Sequence, residues 1–135
     1  MAGFFGLGAR CDFVFHDAWQ AVAESVVFNS PLNLSPLEKL DRGIRVIDLG
    51  CGYGRNVLAL QAEGFTNVVG YDKSEALVRR GLAEHPELSL HVADACAVPE
   101  ASLSAGLVVL AGLLTCMPDR ATQASLVREI RRVLV

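Results

Sequence analysis

From Ile44 onward, apolar and polar positions follow a regular rhythm. Ile44 to Leu49 is β-rich and nearly continuous in apolar residues, as a strand buried on both faces should be. A glycine-rich turn follows, then a helical pattern from about Arg55 to Glu63. Gly64 stands where a left-handed C-cap belongs, with Phe65 placed to close onto Leu60. Val68 to Tyr71 reads as a second strand. Ser74 can cap a helix carrying Leu77, Val78 and Leu82, which Pro86 stops. Leu88, Leu90 and Val92 alternate as a third strand, and Gly106 to Gly112 forms a fourth, strongly apolar one. Asp119 can cap a last helix with Leu126, Val127, Ile130, Val133 and Leu134 on its core face.

Ahead of this rhythm, helical spacing from about Asp17 to Val27 puts Trp19, Val22, Ala23, Val26 and Val27 on one face, with Asp17 as N-cap. Asn29, Ser30 and Pro31 break that segment, and Ser35-Pro36 opens a short capped turn. No repeat or low-complexity stretch occurs. Strand and helix alternate with short connections, so the expected fold class is α/β: a parallel sheet with right-handed crossovers and helices on both faces. Such sheets bind ligands at the carboxyl ends of their strands, which singles out the loops after Leu49, Tyr71, Ala93 and Leu110.

Composition narrows the class. The 135 residues suit one domain, and 52 % hydrophobic against 20 % charged residues excludes a disordered chain. Lys+Arg 12 against Asp+Glu 15 gives a formal charge of −3, without the basic surplus of a nucleic-acid binder. No apolar run reaches the ~18 residues of a membrane span. The first residues, MAGFFGLGAR, lack a charged n-region and are not read as a signal peptide. Cys11, Cys51, Cys96 and Cys116 show no C-x-x-C spacing, and the histidines form no metal-ligand motif with them. Reduced cysteines in a cytoplasmic protein are expected, and no metal.

The sharpest chemistry lies in Asp48-Leu49-Gly50-Cys51-Gly52-Tyr53-Gly54. A strand delivers an acid to its carboxyl end, then glycines recur at alternate positions, then a helix begins. Glycine leaves no side chain between backbone and ligand, and a helix start adds N–H donors. Asp48 would repel a pyrophosphate but suits a ligand bearing an ammonium group. The spacing G-x-G-x-G also differs from the dinucleotide fingerprint. Asp72 ends the second strand. It can accept from two ribose hydroxyls, or serve as a carboxylate at a helix N-terminus, or both. Asp94-Ala95 follows the third strand. An acid and a free N–H there can read an adenine edge, but taken alone this is an ordinary strand-to-loop sequence.

These motifs together resemble the S-adenosylmethionine-dependent class I methyltransferases, over residues 44–135. DLGCGYG is similar to the family's glycine-rich first motif, VVGYDKS to its second and HVADA to its third; LVVLAGLLTCMPD resembles the fourth-strand segment. The resemblance implies a Rossmann-like three-layer sandwich with sheet order 3-2-1-4, and S-adenosylmethionine as cofactor. It implies that Asp48 and Gly50 hold the methionyl ammonium beside a loop of Cys51, Gly52 and Gly54. Asp72 would take the ribose, with Lys73 and Ser74 flanking ribose or adenine. Asp94 and Ala95 would lie at the adenine, and Leu110 and Ala111 near the methyl group. Alignment of an acceptor with the methyl then carries catalysis, an effect worth ~7–11 kcal/mol. No general base is nominated; His16 and His91 qualify only by residue type.

Family members that methylate amino groups or nucleobases often carry Asn/Asp-Pro-Pro-aromatic after the fourth strand. Here Ala111-Gly112-Leu113-Leu114 stands instead, which favours a small-molecule acceptor. Cys116 and Met117 are candidates to line that pocket, or to pack. Residues 1–43 are expected to form a helical segment covering the cofactor site, with Phe13, Phe15 and Trp19 there or packed on the sheet, and residues 44–135 the methyltransferase core. The family continues beyond its fourth strand and helix, so the sheet is expected to be incomplete at the C-terminus, a truncated form of a longer protein. Its apolar fourth-strand edge is expected to drive self-association. A catalytically inactive cofactor-binding module and an NAD-dependent oxidoreductase are the alternatives.

Overall fold

The computed structural model describes residues 16–135. Four parallel strands form one sheet: β1 (Val46–Leu49), β2 (Val68–Asp72), β3 (Leu90–Val92) and β4 (Leu107–Leu110), in the order β3-β2-β1-β4. The fold class and strand order are those expected. β1 is central and wholly buried because each of its faces meets a helical layer. In its register, Val46 stands beside Val68 and Leu107, and Asp48 beside Gly70 and Val109.

Period-two alternation in β1 divides the core. Val46 packs with Val57 and Leu60 of α2 (Arg55–Ala62) and with Val78 of α3 (Glu75–Glu84). Ile47 and Leu49 pack with Leu126 and Val133 of α4 (Arg120–Val133) on the opposite face. Burying one large aliphatic side chain contributes about 1.5–3 kcal/mol, so these two layers hold the carboxyl ends of the strands in place. The chain winds away from β1 through β2 and β3, then returns to place β4 on the other side of β1. A crevice opens where the winding direction changes.

Three of the expected caps form, whereas the turn at Ser35–Leu37 has Leu34 at its N-cap position and no side-chain cap bond. Gly64 adopts φ +91° and Phe65 N donates to Leu60 O. Ser74 Oγ accepts from Leu77 N, and Asp119 accepts from Thr122 N. Element ends differ. β1 begins at Val46, since Ile44 instead packs its side chain where a Gly106 Cβ would stand. β4 stops at Leu110, because Gly112 turns left-handed (φ +79°) into a 3-10 turn, Leu113–Cys116. On α4, Val127 is 59 % exposed, and Glu129 occupies the buried row instead. Glu129 is accommodated there by Arg132 and by Val98 N. Leu134 leaves the helix and bridges Ala105.

The largest difference lies in the first helix. α1 spans His16–Val22, with Asp17 inside its first turn rather than capping it. Arg80 of α3 takes the Ala23 and Val26 carbonyls, at 2.9 and 2.8 Å, which ends the helical ladder. Val27 is left 66 % exposed. Cys51 and Cys116 are free thiols, whereas Cys96 is in a disulfide, against the expectation of reduced cysteines. Cys11, Phe13 and Phe15 lie outside the described residues. Among the described residues no helix is long and apolar enough to cross a membrane, and no group of His, Cys, Asp and Glu is placed to hold a metal ion.

Candidate cofactor site

A cavity of about 570 Å³ occupies the crevice, within the ~300–1,000 Å³ usual for small-molecule sites. Its floor is the turn between β1 and α2. That turn needs glycine at Gly52 for two reasons. Its φ is +55°, and a Cβ would stand 3.2 Å from the Phe28 ring.

Four amides of the turn are engaged within the protein. Gly50 N and Cys51 N both donate to Tyr71 O, Gly54 N donates to Cys51 O, and Gly52 N donates to Asp72 Oδ2 at 2.8 Å. A phosphate cradle needs such amides free and aimed at the ligand. This loop instead presents bare backbone next to a carboxylate.

Asp72 is the fixed acid of the site. Its Oδ1 accepts from Ser74 N at 2.7 Å, so each oxygen is held once and keeps acceptor capacity. Burial raises its pKa, while the Ser74 and Gly52 amides pull it back down. Asp48 is different. It is 0 % exposed, and neither of its oxygens has a hydrogen-bond partner. Burial, then the Asp72 charge, pushes its pKa to about 7; the Asn56 side chain and Arg55 act in the opposite direction. Burial and these two acids likewise push the Cys51 thiol well up.

Of the residues expected at the cofactor, Gly50, Gly52, Asp72, Lys73, Ser74, Ala95 and Ala111 line the cavity. The others do not. Asp48 lies beneath the turn. Cys51 packs into the core, where its Sγ would stand 2.8 Å from a Cβ on Gly70, and Gly54 is pressed against Leu90 in the same way. Leu110 packs toward the α4 face of the core. Asp94 turns back on its own loop, where its Oδ1 accepts from Cys96 N. Cys116 lines the cavity, but Met117 is core. His91, on β3, bonds to Ser89 Oγ and does not line the cavity.

The roof comes mostly from residues outside the motifs, Trp19 being the one described aromatic that the sequence had offered as a cover. Trp19, Phe28 and Tyr53 form an aromatic run: Phe28 stacks on Tyr53 at 5.3 Å, and Trp19 tilts onto Phe28 at 5.8 Å. Tyr53 Oη accepts from Phe28 N, and the Arg80 guanidinium lies over the Tyr53 ring at 4.3 Å. Arg55 donates to Ser30 O. Gln20 Oε1 accepts from both Ser74 Oγ (2.6 Å) and Ala76 N (3.0 Å), and His16 Nε2 lies 3.3 Å from Lys73 O. These contacts pin His16 and Gln20 to the second motif and the start of α3, and Phe28 and Ser30 to the first motif and the start of α2. Period-based reading of Asp17 to Val27 found the apolar face but not its polar latches, since no local pattern marks a partner more than fifty residues away.

Fold and site together define an α/β protein of the Rossmann-like kind with a ligand crevice at its strand ends. Residues 46–135 match the family model described as methyltransferase domain, and the chain belongs to that family. No curated protein matches the chain significantly. Among solved structures, the chain is similar to a S-adenosylmethionine-dependent methyltransferase of Methanosarcina mazei, at 22 % identity and TM-score 0.73, covering 78 % of this chain and 54 % of that one. It is similar to such an enzyme of Mesorhizobium loti at 30 % identity and TM-score 0.57, covering 70 % and 44 %. It also resembles a phosphoethanolamine N-methyltransferase of Haemonchus contortus, solved with phosphoethanolamine and S-adenosylhomocysteine. That match has 23 % identity and TM-score 0.70, and covers 89 % of this chain and 29 % of that one. The chain thus spans about half the length of the first two of these.

Proposed function

We propose that this chain binds S-adenosylmethionine in the 570 Å³ cavity and serves transfer of its methyl group to a small-molecule acceptor. The observation that carries the reading is the pairing of Gly52 N with Asp72 Oδ2, which sets a ribose-competent acid beside a glycine turn whose Gly50, Cys51, Gly52 and Gly54 amides are already engaged within the protein. Asp72 would hold the ribose, with Lys73, Ser74 and Ala95 around the nucleoside. Gly50 and Gly52 would run along the methionyl part, with Asp48 as the anionic layer beneath it and Ala111 near the methyl group. Asp48 fits this ligand because an acid without a hydrogen-bond partner beneath the site favours a cation above it.

When bound, the cofactor supplies an electrophilic methyl group on a sulfonium. The chain's own residues orient and exclude water. His16, Trp19 and residues 27–33 roof the cavity, and Leu113, Thr115 and Cys116 wall its β4 side. His16 is the lining imidazole and is held against Lys73 O, so no step is assigned to it. The roof and the absence of an Asn/Asp-Pro-Pro-aromatic segment support a small acceptor. We further propose a cytoplasmic setting, and residues 1–43 as a cover on a core of 44–135.

Incubation with methyl-labelled cofactor and a metabolite extract tests the activity. Label appearing in a low-molecular-weight product supports it. Cofactor binding without transfer would leave only the binding part of the proposal standing.

A further inference from the structure

Among the described residues the carboxyl group of Asp48 is the most heavily buried acid, and the Asn56 side chain, whose Oδ1 is also without a partner, acts on it. Asp48 points to the α2 face of β1, beside Gly70 on β2, which has no side chain, and Val109 on β4, which is apolar. The first turn of α2 brings Arg55 and Asn56 over it, the glycine turn brings Cys51, and the end of β2 brings Asp72. Arg55 is the cation of this set, and it donates to Ser30 O in the roof. The Cys51 thiol is neutral.

Three oxygens therefore lie buried with no donor: both of Asp48 and one of Asn56. Buried acceptors are almost always satisfied. One proton on Asp48, donated to Asn56 Oδ1, satisfies a donor and an acceptor together. Of the two neighbouring acids, Asp72 has two backbone N–H donors for its charge and Asp48 has none, so the proton belongs on Asp48. An Asn56 amide with Nδ2 toward Asp48 would donate to the carboxylate and lower its pKa; the partnerless Asn56 Oδ1 and Asp48 oxygens are what favour the opposite orientation.

We infer that Asn56 is a positioning residue that shares one proton with Asp48 in the ligand-free protein, and that an ammonium-bearing ligand entering the cavity above them binds with release of that proton. The Asp48 O–H bond breaks, the proton passes to buffer, and the cation replaces it beside the carboxylate. This rests on the cofactor reading for the identity of the ligand, but the shared proton itself does not.

Carbon-detected NMR titration of the Asp48 carboxyl in the free 135-residue chain tests the pair. A midpoint near pH 7 is expected; one near 4 overturns the inference. Asn56→Leu separates the two amide orientations. Loss of an acceptor for the shared proton lowers the midpoint, whereas loss of an Nδ2 donor raises it, and a rise overturns the pair. Calorimetry with S-adenosylhomocysteine, in buffers of different ionisation enthalpy, then reads the release. From that midpoint, about half a proton per site is expected at pH 7 and close to one at pH 6, with none in Asp48→Asn. Equal release by wild type and Asp48→Asn overturns the coupling. Absence of binding by wild type overturns the cofactor reading, while the free-protein midpoint still decides the pair.

Discussion

Asp72 holds the glycine turn and the start of α3 at once, through Gly52 N and Ser74 N. Asp72→Ala removes those two anchors together with the acceptor proposed for the ribose. Charged hydrogen bonds are worth about 1.5–3 kcal/mol each against water, so affinity for S-adenosylhomocysteine is expected to fall by roughly 10–150-fold in calorimetric titration. Unchanged affinity places the nucleoside elsewhere. Asp48 governs a pH dependence. Its pKa is raised in the folded chain from 3.8 to about 7, so the folded state holds a proton that the unfolded chain gives up. Below about pH 4 both states are protonated. From about pH 4 to 7 this residue's contribution to stability falls as pH rises, and the loss levels off near about 4 kcal/mol above that window. Urea unfolding at pH 4.5 and pH 8 is expected to show Asp48→Asn gaining on wild type at the higher pH; parallel changes contradict this. Gly50, Gly52 and Asp72, which line the cavity, were legible because they end or follow a strand pattern, whereas Asp48, Gly54 and Asp94, read from the same motifs, do not line it. Asn56 was not, since its significance depends on which way its amide faces under a neighbouring turn.

At the scale of elements, the strands and the capped helices were readable from Ile44 on, because buried parallel strands and Ser or Asp caps leave local marks. Ser74, Gly64 and Asp119 each do what their residue types imply. The reading failed where distant partners decide. Glu129 takes a buried position through Arg132 and Val98, and α1 is cut short by Arg80. Gly81 was passed over inside α3, although a Cβ there would come 2.4 Å from Tyr53 O, so that helix can approach the glycine turn only with glycine at this position. The latch of α1 onto α3 makes its own prediction. Gln20→Ala removes acceptors for Ser74 Oγ and Ala76 N. Amide exchange over residues 16–23 is expected to speed up by about tenfold, in line with roughly 1–1.5 kcal/mol of lost hydrogen bonding. Exchange rates unchanged there mean that aromatic packing alone holds the roof.

For the whole molecule, β4 lies at the sheet edge. Among the described residues its outer side is met only at its base, by the Ala105–Leu134 bridge. An apolar edge of this kind pairs with other chains. We propose self-association through it, read as a sedimentation coefficient that rises with concentration; a monomer at every concentration tested contradicts it. The order β3-β2-β1-β4 puts the crevice at the reversal of winding, and Asp72 with the engaged turn amides supports the proposed class of ligand. The most direct test is calorimetric titration of the folded chain with S-adenosylhomocysteine and, separately, with NAD. The account predicts saturable heat from the first and none from the second. Binding of NAD, or a folded chain indifferent to the nucleoside amino acid, contradicts it.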